Sequence, residues 1–343
     1  MRRIVIILTI SASLYPCFAG INGSVRIAAI RVSFLEDDSP GTTGNGSFLL
    51  NAPIDTCGRY TIDPVPHDRS YFESQLVAVN NYFRSVSYGK FGLDLDQSIV
   101  FPLSDENSYV LPKKMDYYHP YNQTDIHDQR VTELFRDALE TAYNDDEIDF
   151  SNFDHVVIFH AGIGQDFSLP FLDPTPEDIP STFIDDDMLQ EFVGGMLQFG
   201  TVTINQGIIL PETQNHLFYQ ESENIFLDAE EPCDYQYGLT GTFALMLGFA
   251  IGLPPLWDTN SGQSGIGIFG LMDQGSNNGR GLIPAPPDAW SRKFAGWESP
   301  LIAMPSKMIN LPSRSENNLV QIPINESEYF LIENRTNWYR GNM

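Results

Sequence analysis

Residues 239–251, LTGTFALMLGFAI, are the stretch that most constrains what this chain can fold into. A helix built from them is apolar all round, and such a helix must be buried because no face of it suits water. Gly252 and Pro254 end it, since glycine accepts the left-handed geometry of a helix terminus and proline cannot continue the ladder. The run is too short to span a bilayer, which takes about 20 apolar residues. It therefore needs a large protein core around it, and a composition of 42% hydrophobic residues, with 23 Phe and 15 Tyr, supplies one.

Other segments indicate what surrounds that helix. Val131, Leu134, Phe135, Ala138, Leu139 and Ala142 recur at the spacing of one helical face, which predicts an amphipathic helix over 125–143. After an acidic turn, Val156-Val157-Ile158-Phe159 is an uninterrupted apolar run, the pattern of an interior strand covered on both faces. A further helix is predicted over 70–88, stopped by Gly89, and strands over 24–34, 91–101 and 202–210, the last ended by Pro211. Helix followed by buried strand gives an α/β (α+β) fold with a mixed twisted sheet. No internal repeat is visible, so residues 20–343 read as one domain.

The first nineteen residues read as an address. Arg2 and Arg3 precede an apolar run over 4–14, and Cys17-Phe18-Ala19 places a small side chain before Gly20. This is the pattern of a secretory signal cut near Ala19, and it predicts a secreted, periplasmic or cell-surface protein with no membrane span once the signal is gone. Lipid attachment at Cys17 fits poorly, because Tyr15 and Pro16 stand where small residues are expected. Cys57 and Cys233 then form an even pair in an oxidising compartment and are candidates for a disulfide, two free thiols being the alternative. Asn22, Asn45, Asn122, Asn325 and Asn334 each begin an Asn-x-Ser/Thr triplet.

Charge narrows the partners. With 45 Asp+Glu against 19 Lys+Arg the formal charge is −26, the opposite of the basic footprint that nucleic acid demands. The loop over 166–187, DFSLPFLDPTPEDIPSTFIDDD, is rich in oxygen donors. It reads as a solvated surface loop, with structural calcium as the alternative, although the helix-loop-helix calcium pattern is missing. His155 and His160 flank the apolar run but, five apart on a strand, they point to opposite faces and do not share an ion. His160 is expected at a strand end, bonded to nearby backbone, while His67, His119, His127 and His216 have no spacing that marks a site.

Several segments together carry a family likeness: VRIAAIRVSF at 25–34, YFRSVSYGK at 82–90, Phe159-His160-Ala161-Gly162, Gly252-Leu253-Pro254 with Asp258-Thr259, Gly270-Leu271-Met272, Ala289-Trp290 to Gly296-Trp297, and YFLIENR at 329–335. In this order they resemble the immune inhibitor A family of secreted zinc metallopeptidases. The resemblance implies a metzincin-like domain in which 239–251 is the former active-site helix and Met272 marks the methionine turn. It also implies further strands and domains beyond Met343, so the chain is expected to be truncated at its C-terminal end.

Active members carry His-Glu-x-x-His-x-x-Gly-x-x-Asp on this helix. Positions i and i+4 share a helical face, so the histidines hold one zinc while the adjacent Glu serves as general base. Anchored on Gly252, the first His position is Leu245, the Glu position Met246, the second His position Phe249 and the third-ligand position Pro255. None of these side chains replaces what is missing, since a thioether neither carries charge nor takes a proton from water. Leu245 and Phe249 are expected to fill the former metal cavity with hydrocarbon. The reading is a catalytically silent member, without zinc or other cofactor, serving as a binding or structural module for a protein or polysaccharide partner. A hydrolase that uses an unrecognised site elsewhere is the alternative, although there is no Gly-x-Ser-x-Gly elbow.

Overall fold

The computed structural model describes residues 20–36, 38–51, 61–167, 175–216, 236–312 and 319–335. The signal-like segment, Cys57, Cys233 and the residues from 336 onward lie outside them. In chain order the strands are β1 (Gly23–Val25), β2 (Ile27–Ser33), β3 (Phe91–Leu93), β4 (Ile99–Phe101), β5 (Tyr109–Val110), β6 (His155–Ile163), β7 (Thr182–Ile184), β8 (Leu197–Phe199), β9 (Val202–Ile204), β10 (Gly207–Thr213), β11 (Leu301–Ile302), β12 (Leu319–Pro323) and β13 (Tyr329–Glu333). The helices are α1 (Arg69–Val86), α2 (Met115–Tyr118), α3 (His127–Asp146), α4 (Asp186–Phe192), α5 (Leu239–Ala250) and α6 (Ala289–Phe294).

The main sheet runs β4-β2-β6-β10-β7, with β5 beside β2. β2 lies parallel to β4 and β6, β6 lies parallel to β10, and β7 closes the far edge antiparallel to β10. Parallel neighbours need long crossovers, and α1 and α3 provide them before β4 and β6. This is a mixed sheet in an α/β setting, as expected. β2 and β10 are buried throughout, and β6 is buried after His155. Phe159 shows how the layers meet: its ring lies 4.7 Å from Phe72 of α1 and 5.6 Å from Phe243 of α5.

Three expected strands prove to be pairs. The run 24–34 divides at Arg26, whose backbone N–H and guanidinium both bind Asp154, so that β1 pairs with β3 while β2 joins the main sheet. The run 91–101 divides at a turn in which Asp94 accepts from Gln97 and Ser98 Oγ donates to the Asp94 carbonyl. The run 202–210 divides into β9 and β10, and β10 continues through Pro211 to Thr213. Proline cannot donate to a ladder, and the register with β6 slips between Pro211 and Thr213. His160, expected at a strand end, lies inside β6; its bond to backbone is there, Nδ1 donating to Ala161 O at 2.8 Å.

α1 stops where Tyr88 (φ 57°) and Gly89 (φ 78°) take left-handed geometry. Within α6, Arg292 is buried and binds Glu298 at 2.9 Å and Glu333 at 2.7 Å, tying the small sheet β11-β12-β13 to the body.

Candidate functional site

α5 follows β10 after a segment outside the described residues and packs on α1, β7 and β10. Its first turn has no side-chain cap of its own. Asp63, far away in sequence, takes the orphan N–H of Leu239 on Oδ2 at 2.9 Å. Its other end is a glycine-terminated Schellman motif: Leu253 N–H donates to Gly248 O at 2.9 Å and Gly252 N–H to Phe249 O at 2.8 Å, with Gly252 at φ +91°. The helix is therefore pinned at both ends, and its bounds agree with the apolar run that predicts it.

Leu239, Phe243, Ala244, Leu247 and Gly248 are buried, whereas Leu245, Met246 and Phe249 are half-buried and Pro255 is exposed. The four positions matched to the metal-binding motif thus lie on the more open side of the helix, and Leu245 and Phe249 do not become core as expected. Phe249 is flanked by aromatic rings, Phe183 of β7 at 6.0 Å and Trp257 at 5.5 Å. The result is a partly open apolar strip beside the antiparallel edge strand. No donor on it fits zinc, whose sites need about four nitrogen, sulfur or carboxylate ligands. Among the described residues no group of three or more His, Cys, Asp and Glu converges as a metal site.

Met272 meets α5 at Gly248, on the buried side of the helix. It is fully buried, and a Cβ added at Gly248 would come within 2.6 Å of its sulfur. Leu256 N–H donates to the Met272 carbonyl at 2.9 Å, joining the turn to the chain that leaves α5. The next residue, Asp273, fixes the loop above. Its Oδ2 accepts from Ser264 Oγ and from the backbone N–H groups of Gly265, Ile266 and Gly267, all between 2.7 and 2.9 Å. Burial pushes the Asp273 carboxyl up, but these hydrogen bonds prevail and hold it below the usual carboxylate range.

No family model matches the chain, and no curated protein matches it.

A second polar constellation escaped the sequence reading. His67 and Glu212 meet at 2.7 Å through Nδ1 and Oε2, neither side chain being exposed. His67 Nε2 donates to Asp63 O at 2.9 Å, and Glu212 also accepts from Leu49 N at 3.0 Å and Gly162 N at 2.7 Å. The Asp63 carbonyl is an acceptor and the Glu212 carboxylate can be one, an arrangement that favours the doubly protonated ring. Burial opposes that charge, yet the hydrogen bond and charge of Glu212, with help from Asp63, raise the His67 pKa. Burial likewise pushes Asp63 up. Sealed from solvent, the pair has no route to a substrate; it fastens the 61–67 loop to β6, β10 and the start of α5. The available signal was Glu212 itself, an acid separated only by Pro211 from the apolar run Ile208–Leu210.

The remaining sequence candidates separate. His160 is buried, and desolvation lowers its pKa to about 4, so it is a neutral packing residue. His155 is half-buried at the start of β6. In the acidic loop Asp178 is buried, not solvated as expected, and takes both donors of Thr43 at 2.7 Å, whereas Asp166 stays exposed while accepting from Ser181 N and Oγ at 3.1 and 2.9 Å. Asp185 caps α4 through Met188 N. These acids serve as internal acceptors.

Proposed function

We propose that the chain is a secreted protein on a metzincin-like metallopeptidase scaffold whose zinc-binding positions have become apolar, a pseudopeptidase that acts as a binding or structural module. The observation that carries this reading is the conjunction of Met272 beneath Gly248 with Leu245, Met246, Phe249 and Pro255 at the four motif positions above it. The scaffold side is supported by the mixed sheet with one antiparallel edge strand, the pinned helix after it and the buried methionine turn. The silent side is supported by side-chain chemistry alone, because Leu, Phe and Pro offer no ligand and Met no base.

A binding role follows from the half-open apolar strip of Leu245, Met246, Phe249 and Trp257, which is suited to apolar groups of a protein or polysaccharide partner. Export accounts for the apolar segment at the N-terminus, and no helix among the described residues is long and apolar enough to cross a membrane. The test is elemental mass spectrometry on the purified mature chain together with a casein-cleavage assay. The expected result is neither bound zinc nor cleavage. Near-stoichiometric zinc that leaves on chelation along with proteolysis overturns the reading.

A further inference from the structure

Asn22, Asn45, Asn122 and Asn325 begin Asn-x-Ser/Thr triplets in which both the asparagine and the hydroxyl residue, Ser24, Ser47, Thr124 or Ser327, are exposed. Exposure of asparagine alone is ordinary. What separates these four is the contrast with the buried asparagines: Asn80 accepts from Leu93 N at 2.8 Å, Asn215 donates to Ile62 O at 2.7 Å, and neither begins a triplet. All four triplets also stand outside the α-helices, and each asparagine precedes or follows a strand or sits in a turn. In two of them the side chain already meets its own motif. Asn45 Oδ1 accepts from Ser47 N at 3.2 Å, and Asn325 Oδ1 accepts from Ser327 N at 2.9 Å and Ser327 Oγ at 3.1 Å.

We propose that Asn22, Asn45, Asn122 and Asn325 are N-glycosylation acceptors, a modification that rests on the export reading above. In the step, Nδ2 bonds to the anomeric carbon of an oligosaccharide carried on a polyprenyl diphosphate. The anomeric carbon–oxygen bond breaks, the polyprenyl diphosphate leaves, and Nδ2 gives up one proton. Each acceptor has open solvent for the glycan, and substituted Nδ2 keeps one N–H, so the polar contact of Asn325 with Glu328 survives. No triplet occurs between residues 123 and 324, the span that contains α5, β7 and the Asp273 loop. The glycans would therefore be attached outside the segments that form the apolar strip.

The test expresses the full chain in a secreting eukaryotic cell in two forms, one with its own N-terminus and one with residues 1–19 replaced by an established leader. Protein from medium and from cell lysate is weighed before and after peptide-N-glycosidase treatment. The expected result is a loss of mass on digestion, with the four asparagines read as aspartate in peptide maps. Asn22→Gln, Asn45→Gln, Asn122→Gln and Asn325→Gln each remove one step of the mobility ladder. Unchanged mass in the leader-swapped form, in medium and lysate alike, overturns the proposal. Glycosylation of the leader-swapped form alone upholds it and instead overturns the export reading.

Discussion

His67 donates to Glu212 across 2.7 Å with neither side chain reaching solvent. Their union joins a loop before α1 to the end of a central strand, and Asp63, which accepts the other imidazole proton, also accepts the first N–H of α5. Removing one partner of a buried pair leaves an uncompensated charge, which costs about 3–5 kcal/mol. Glu212→Ala and His67→Ala should each lower stability by that order in denaturant unfolding. The double variant should lose less than the sum of the two. Full additivity would show that the pair is not coupled.

The same constellation gives stability a pH dependence. A folded pKa above the unfolded value contributes stability that is complete below the unfolded pKa and fades as pH rises through the folded one. His67 is raised, so its share is complete below about pH 6.5 and is lost on the alkaline side. Asp63, raised by burial, acts in the same direction. Asp273 and Asp154 are lowered, so their share is present above about pH 4 and is lost in acid. Melting temperature should peak in mildly acid buffer and decline as pH rises above about 6.5. The alkaline decline should shrink in His67→Gln, and an unaltered slope there would count against a charged His67.

Gly248 has no room for a methyl group while Met272 keeps its place. Gly248→Ala should destabilise by about 1–3 kcal/mol despite the better helix propensity of alanine, because the added carbon overpacks a buried contact. Paired with Met272→Ala it should cost less than in the wild-type background. A stabilising Gly248→Ala in calorimetry would mean that the contact is slack.

The motif positions can be tested by restoring them. Leu245→His, Met246→Glu, Phe249→His and Pro255→Asp together should produce a chain that takes up zinc while its parent does not, as read by elemental analysis after dialysis. The half-open setting of Leu245, Met246 and Phe249 and the exposure of Pro255 make the change tolerable for the fold. A folded quadruple variant without zinc affinity would show that these residues do not occupy ligand positions.

Asp273→Ala deprives three backbone N–H groups and the Ser264 hydroxyl of their shared acceptor. Hydrogen bonds to a charged group are worth about 1.5–3 kcal/mol each, though not additively. The expected signature is fast amide exchange at Gly265, Ile266 and Gly267 with the sheet amides little changed. Retained protection at those amides would show that the loop holds without the carboxylate.

How much of this was legible in the sequence follows from which forces are local. The face of α3, the interior strand around Val157 and the bounds of α5 could be read because periodicity and terminating glycines act over a few residues. The division at Arg26 and the continuation of β10 through Pro211 could not, since the first is set by Asp154 across the sheet and the second is accommodated by a register slip against β6. The same holds for the site. Leu245, Met246 and Phe249 are found by counting from Gly252, but His67 and Glu212 are 145 residues apart and only the fold introduces them. Asp178 of the 166–187 loop looked like surface because composition does not reveal that Thr43 waits for it.

The grip of Asp273 falls on main-chain donors, and that separates contour from lettering. Ile268 and Phe269, 55% and 68% exposed in that loop, anchor it only through backbone, their carbonyls accepting from Asn278 Nδ2 and Arg335, so their side chains are spare. New residues at those two sites would present a different face on an unchanged outline, which is how a surface acquires a new acquaintance without renegotiating its shape.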